Sequence, residues 1–486
     1  MDLGFNHINL YSIINHKIFN YGLNYGAHMV EIIPFRGYRF NPDKIDDFSN
    51  VIAPPYDVID AELQEKLNAR SQYNISKITK GVKREDDSES ENEYTRASVL
   101  LNQWIEENIL IQDEQPAIYV LAQEFTIGTG ESQRHLIRAG FIALLKLEPF
   151  CTGGSGTGCV GVHQHEETLP KDIQDRLSLC KTTLTNFGQI FTIFPDHERK
   201  TEALLNQVMG NEPVAMARDD EGVIHKLWLM QAEDQIAELK QLLSNKSVII
   251  ADGHHRYKTA LKLHEEHSNP QDPVAESSKY RMMTFVNMMN EGLVILPTHR
   301  LIQNVENFEA NKLLNDLQNN FKIEKFIIEG EDDAAAKAAM FAGLKTAFDE
   351  GRHAFGLYCK TGEYYLLNLK DISAMDKVQN KSTAWRKLDV SILHHLILED
   401  LLGIDKVKLA SGSITGGAYV EYIKDIGDAV QKAIDKVNNA GYQAIFFMNP
   451  TRAQEVEAVA TNHETMPQKS TFFFPKIYTG YVMNKL

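Results

Sequence analysis

The 486-residue sequence contains no apolar run approaching the roughly 18 residues needed to cross a bilayer, so no helical membrane span is expected. It has few cysteines. Cys151, Cys159, Cys180 and Cys359 form no CxxC pair and no even spacing, which argues against a disulfide framework and for a reducing, cytoplasmic setting. Positive charge is also short. Fifty Lys and Arg against 66 Asp and Glu give a net charge of −16, a surface that repels nucleic-acid backbones while still permitting a small basic pocket. No G-x-x-x-x-G-K-[ST] loop occurs, and the glycine-loop and catalytic-loop set of protein kinases is missing, which sets both classes aside. GTGCVG at 156–161 matches a dinucleotide fingerprint in letters only, because Pro149-Phe150-Cys151 precedes it and VHQHEETLP follows, instead of a strand and a helix. Residues 1–28 have neither a basic leader region nor a continuous apolar core. They make a poor signal peptide and read as a loose extension, as from an upstream start codon.

What is present is the composition of a soluble globular chain, 43% hydrophobic and 24% charged, too long for one ordinary core. Ala97, Leu100, Leu101, Trp104 and Ile105 mark an amphipathic helix after the acidic segment KREDDSESENE. Strands are predicted at AIYVLAQEFT, HLIRAGFIALLKL, IFTIF, MMTFVNMM and LVILPTHRL, with a helix at QDRLSLCKTTLTNFG. Beyond residue 300 come the helix NFEANKLLNDLQNNF, the strands IEKFIIEG, AFGLYCK and YYLLNLK, an alanine-rich helix, helices at SILHHLILEDLLG and GDAVQKAIDKVNNAG, and the strand AIFFM. The order is mixed α/β (α+β) in both halves, without a solenoid repeat. The expected division is 29–300 and 301–486.

The densest chemistry lies in SVIIADGHHRYKTALKLHEEH, residues 247–267. Val248 to Ala251 read as a buried strand, Asp252-Gly253 as a turn, and Tyr257, Ala260, Leu261 and His264 as one face of a helix. His254, His255 and Arg256 then fall in the first helical turn, beside backbone N–H groups that have no helical partner. A helix start favours anions by roughly 0.3–1 kcal/mol at an exposed site. A guanidinium fork and two imidazoles added to it make a phosphate or carboxylate cradle. The plainer alternative is that Asp252 caps the helix and the histidines are ordinary turn residues.

Further candidates surround this motif. His163, His165, Glu166 and Glu167 cluster before a helix opened by Pro170 and Lys171, where a carboxylate can take a substrate proton or hold a divalent cation. Cys159 with the two histidines offers an incomplete zinc set, and a polar loop ending in a helix acid is the bland reading. Pro54-Pro55 presents Asp57 from a rigid extended segment that can equally be a structural bend. His299 and Arg300 follow a buried strand, either to add a cation or as an exposed strand end. His394-His395 sit in a leucine-rich helix, where packing is the simpler role. Lys469, in MPQKSTFFFPK, meets a phosphate or flanks a core strand.

PFRGYRFNP, APPYDVID, HQHEETLPKDIQDRL, ADGHHRYKTAL, LPTHR and MPQKSTFFFPK together resemble, in order, the signature blocks of the family called domain of unknown function 1015, from Met29 to Leu486. DGHHR is in turn similar to the phosphate-binding motif of the ParB/sulfiredoxin superfamily, nearest to that of nucleotide-dependent free serine kinases. The resemblance implies a ParB/sulfiredoxin-like nucleus with a second α/β region. It implies phosphate contacts from Gly253, His254, His255 and Arg256, with Asp252 acting on a metal or on substrate. Mg²⁺ and ATP or ADP are the implied cofactors, and L-serine or another hydroxyl amino acid the implied acceptor. The family's catalytic glutamate does not align here, and Glu166 is the candidate by local chemistry, with Asp57 beside it. His165, His299 and Arg300 are candidate substrate contacts and Lys469 a further phosphate contact. Sulfiredoxin's cysteine is replaced by His254 and His255, and the acidic balance opposes a DNA-bound ParB role. The expectation is a small-molecule phosphotransferase without nucleic-acid or membrane partners. The alternative is a regulator or scaffold that holds a nucleotide without turning it over.

Overall fold

Two sheets organise the chain, and the last fifteen residues tie them together. The computed structural model describes residues 29–128, 133–151, 160–166, 171–330, 332–411 and 418–486. The segment 1–28, Cys159, most of the GTGCVG stretch, Glu167 and Pro170 lie outside them. Among the described residues the first sheet is mixed. Its strands run in the order Val162–Gln164, Val248–Asp252, Ile190–Phe194, Tyr280–Asn287, Arg134–Lys146, Ile118–Ile127, Ile224–Met230 and Ala215–Arg218, with Ile32–Ile33 paired to Arg134–Lys146. The second sheet is antiparallel, in the order Phe321–Ile327, Glu363–Leu369, Ala354–Tyr358, Ala444–Phe447, Thr298–Ile302 and Val420–Lys424. The fold is mixed α/β, as the alternation of periodicities predicts.

Local patterns explain most elements. Residues 93–106 form the expected helix because Ala97, Leu101 and Trp104 share a buried face, and Asn92 caps it by accepting from Tyr94 N and Thr95 N. LVILPTHRL does not make one strand. Pro297 breaks it into Val294–Leu296, which pairs with Phe472–Phe474, and Thr298–Ile302, which enters the second sheet. A residue before proline is held extended and proline offers no N–H to a ladder, so the chain changes sheets there. SILHHLILEDLLG is likewise divided: a short helix, Asp389–Ile392, passes into a π-helical stretch, Leu393–Glu399.

After Phe472–Phe474 the chain returns to the first sheet's side. Ala53 and Thr479 exchange backbone hydrogen bonds, as do Tyr38 and Met483, and Asn484–Lys485 pairs with Thr185–Asn186. One apolar core accordingly contains residues from both halves, among them Ile193, Ile249, Ile302, Phe446, Phe473 and Tyr481. Among the described residues Cys180 and Cys359 carry free thiols. Among the described residues no helix is long and apolar enough to cross a membrane.

Candidate functional site

The strand Val248–Asp252 is buried between two neighbours in the first sheet, and the helix His254–Glu266 leaves it after a single glycine. Gly253 has φ +94°, left-handed backbone that a side chain resists. A Cβ there would lie 3.0 Å from Arg256 Nε, so the missing side chain lets the guanidinium fold over the helix start. Asp252 does not cap the helix, since no side chain caps it. Its carboxylate meets Lys476 Nζ at 2.8 Å and Arg256 Nη2 at 3.6 Å. Burial alone would raise its pKa, but Lys476 and Arg256 outweigh burial and hold the carboxylate below the ordinary range.

This helix start opens onto a cleft of about 940 Å³. Seven Lys and Arg line it (Lys80, Lys83, Arg176, Arg256, Lys424, Lys469 and Lys476) against five carboxylates, Asp57, Glu93, Glu166, Asp175 and Asp252. A basic hollow on a chain of net charge −16 is the focusing arrangement expected for an anionic ligand. Of the sequence candidates, Asp57, Glu166, Asp252, Gly253, His254, His255, Arg256 and Lys469 all reach this cleft.

His165, His299 and Arg300 do not line it; they are buried behind its walls. His165 places Nδ1 2.5 Å from Ile250 O and Nε2 2.8 Å from Thr471 Oγ1, tying the strand Val248–Asp252 to the residue just before Phe472–Phe474. With both ring nitrogens engaged it is unsuited to ligate zinc, and Cys159 lies outside the described residues. Arg300 donates Nη2 to Lys469 O at 3.0 Å and Nη1 to Thr298 O. It therefore shapes the turn at Lys469, whose φ of +56° is rare for a residue with a side chain. Lys469 N donates to Glu166 Oε1 at 3.1 Å, which fixes that carboxylate on the cleft wall. His299 Nδ1 accepts from Met448 N at 3.0 Å, a core position.

The charge of the cradle differs from the sequence reading. Burial, reinforced by His165, pulls the His254 pKa well below its usual value, so its imidazole is neutral at pH 7. Its Nε2 faces the His165 N–H at 3.4 Å, an acceptor's position. The cations that replace it come from Lys476 and Lys424, both 4.6 Å over the Phe472 ring. Lys476 was missed although it ends the MPQKSTFFFPK block. Arg138 holds it in place, fully buried, with Nε bonded to Gln123 Oε1 at 3.0 Å and the fork reaching Phe474 O and Pro475 O. Gln123 Nε2 then donates to Lys476 O at 2.9 Å.

A pH dependence follows from the buried imidazoles. Burial lowers the pKa of His165, His225, His254 and His394. For a base whose folded pKa is depressed, the unfolded chain takes up a proton that the folded chain refuses. Stability is therefore full above the unfolded value near 6.5 and falls as pH drops below it, by at most about 1.4 kcal/mol per pH unit for each group. Urea midpoints are expected to be level from pH 8 to 7 and to decline from pH 6.5 to 5.5, with a shallower decline in His254→Asn. Midpoints that stay level down to pH 5.5 would contradict this.

The family model described as Protein of unknown function (DUF1015) matches residues 32–391, and the chain belongs to that family. Among solved structures it is similar to a free serine kinase variant in complex with AMP, at 10% identity over 64% of this chain and 83% of that one, with a TM-score of 0.31. A conserved hypothetical protein from Pyrococcus furiosus is similar at 12% identity over 67% and 91%, with a TM-score of 0.29. SbnI with a C-terminal truncation, from Staphylococcus aureus, is similar at 12% identity over 65% and 81%, with a TM-score of 0.28. No match was found among curated proteins.

Proposed function

We propose that the cleft binds a nucleotide by its phosphates and transfers a phosphoryl group to the hydroxyl of a small amino acid such as L-serine. One observation carries the reading: an uncapped helix start, Arg256, Lys424, Lys469 and Lys476 face one hollow together with the carboxylate of Glu166. Phosphoryl transfer asks little covalent chemistry of a protein. It asks for cations on the phosphate oxygens, an aligned nucleophile and a group that receives the nucleophile's proton. The backbone N–H groups after Gly253 and the four cations fill the first role. Glu166 fills the last, its Oε1 anchored by Lys469 N, with Asp57 on the same cleft as the alternative base.

In the transfer, the acceptor hydroxyl oxygen forms a bond to phosphorus while the bond from phosphorus to the nucleotide's bridging oxygen breaks. The hydroxyl proton passes to the carboxylate. Among the described residues no three His, Cys, Asp or Glu stand together as a metal cage. Mg²⁺ that arrives with a nucleotide needs only one or two carboxylates besides the phosphates. Asp57 would serve it, since Asp252 is taken up by Lys476 and Arg256 and Glu166 by the proton, and the ion would offset phosphate charge. In this reading residues 29–300 form the ParB/sulfiredoxin-like unit that grips the phosphates. Residues 301–486 contribute Tyr422, Lys424 and the 469–476 wall.

Incubation of the full chain with Mg²⁺, L-serine and either ATP or ADP is expected to yield phosphoserine, read by mass spectrometry. Absence of turnover with any nucleotide and any hydroxyl amino acid would remove the proposal.

A further inference from the structure

The strand Phe321–Ile327 stands at one end of the second sheet and pairs on one side only, with Glu363–Leu369. Its register runs from Phe321 opposite Leu369 to Ile327 opposite Glu363 without a bulge. Which backbone groups this pairing leaves free follows from the ladder. Lys370 N donates to Asn320 O at 2.9 Å and Ile328 N to Gly362 O at 3.0 Å, so the even-numbered residues bond toward Glu363–Leu369. Hydrogen-bonding direction alternates along an antiparallel strand. Phe321, Ile323, Lys325 and Ile327 therefore turn their N–H and C=O groups outward, and nothing among the described residues meets them.

The side chains along this edge are open as well. Lys322, Glu324 and Lys325 are exposed, and Ile327 is 68% exposed. Lys325 reaches Glu363 and the Tyr365 ring, whereas Lys322 and Glu324 have no ion-pair or hydrogen-bond partner among the described residues. A hollow of about 610 Å³ runs between the strand and the helix Ala310–Leu317, lined by Leu314, Phe321 and Ile323. Edge strands are commonly blunted by prolines, bulges or charged side chains. This strand has neither proline nor bulge, and its two unpaired charges are opposite in sign, so register decides whether they repel or attract a second copy.

We propose that two copies of this chain associate by antiparallel pairing of Phe321–Ile327 about a two-fold axis at Ile323, which joins their six-stranded sheets into one. Outward residues must face outward residues, which limits where the axis can fall. An axis at Lys322 sets lysine against lysine, and an axis at Glu324 sets glutamate against glutamate. With the axis at Ile323, Phe321 exchanges hydrogen bonds with Lys325 of the second copy, and Ile323 meets its counterpart. Lys322 then stands opposite Glu324 of the second copy, once on each side of the axis. These are non-hydrogen-bonded positions, where facing side chains come closest. Opposite charges directly across such a ladder attract, and like charges repel. Lys424 lies at the other edge of the same sheet, on Val420–Lys424, so the association stands apart from the phosphotransfer reading.

Analytical ultracentrifugation of the full chain tests the proposal. A monomer–dimer equilibrium is expected with Kd on the order of 10 µM, as for a small transient interface. Lys322→Glu and Glu324→Lys each set like charges face to face on both sides of the axis, and each should weaken the dimer at least about tenfold. Combined in one chain, the two substitutions restore opposite pairs, and affinity should return to within about threefold of the parent. Both positions are exposed, so the circular dichroism spectra should match the parent's. Hydrogen exchange supplies the location: the amides of Ile323 and Lys325 should exchange more slowly in the dimer than in the dilute monomer. A chain that stays monomeric at about 200 µM overturns the proposal. So does a dimer that neither single reversal weakens, a double reversal that fails to restore it, or amide protection that bypasses Phe321–Ile327.

Discussion

Arg256→Ala is expected to reduce ADP affinity at least about thirtyfold while leaving the cooperative unfolding transition in place. The guanidinium lies over the helix start, with Nη1 bonded to Gln189 O at 2.5 Å and Nη2 3.6 Å from Asp252, and its side chain is only 10% exposed. A phosphate entering beside Gly253 would meet a planar fork already fixed in place. Truncating one partner of such a desolvated charge contact costs about 2–5 kcal/mol, and each 1.4 kcal/mol is tenfold in affinity. Arg256→Lys keeps the charge but loses the fork, so its affinity should fall between the two. The loss is not rescued by His254, which burial keeps neutral. Calorimetry with ADP decides the matter, and an Arg256→Ala affinity within threefold of the parent would show that phosphates do not sit at this turn.

Glu166→Gln has the second large effect, on turnover rather than on binding. Glutamine preserves the side chain's size and its acceptance from Lys469 N, so the wall should stay in place. It cannot take a proton. General-base catalysis contributes about 10²–10⁴-fold, and kcat for phosphoserine formation should fall by that factor while ADP affinity stays within about threefold. Asp57→Asn is the companion variant. If Asp57→Asn lowers kcat and Glu166→Gln does not, the base is Asp57. If Arg256→Ala removes binding and the parent forms no phosphoserine, the cleft holds a nucleotide without reacting it.

The parts of the site that were legible in the sequence are those set by near neighbours in the chain. A β-branched run, a glycine and a helical period are enough to place the strand Val248–Asp252, the turn and the helix His254–Glu266. From that order it follows that His254, His255 and Arg256 flank unpaired backbone N–H groups. The separation of VIL from THRL was present in Pro297, but only the sheets show that the two halves leave in different directions. The same limit applies to His299 and Arg300. Their letters read as exposed cations, whereas strand pairing on both sides buries them at 0% and 1% exposure.

By itself, then, the sequence determined the mixed α/β class, the strand–glycine–helix unit and the acidic surface, because hydrogen-bond periodicity and formal charge are properties of short stretches and of composition. Tertiary structure decided which charges count. Lys476 reaches Asp252 across 224 residues of chain because the terminal strand turns back over the first sheet, with Arg138 and Gln123 holding its backbone. The same closure strips water from His254 and leaves it neutral. Solvation and Coulomb energy depend on distance through space, and that distance is created only when the two halves pack.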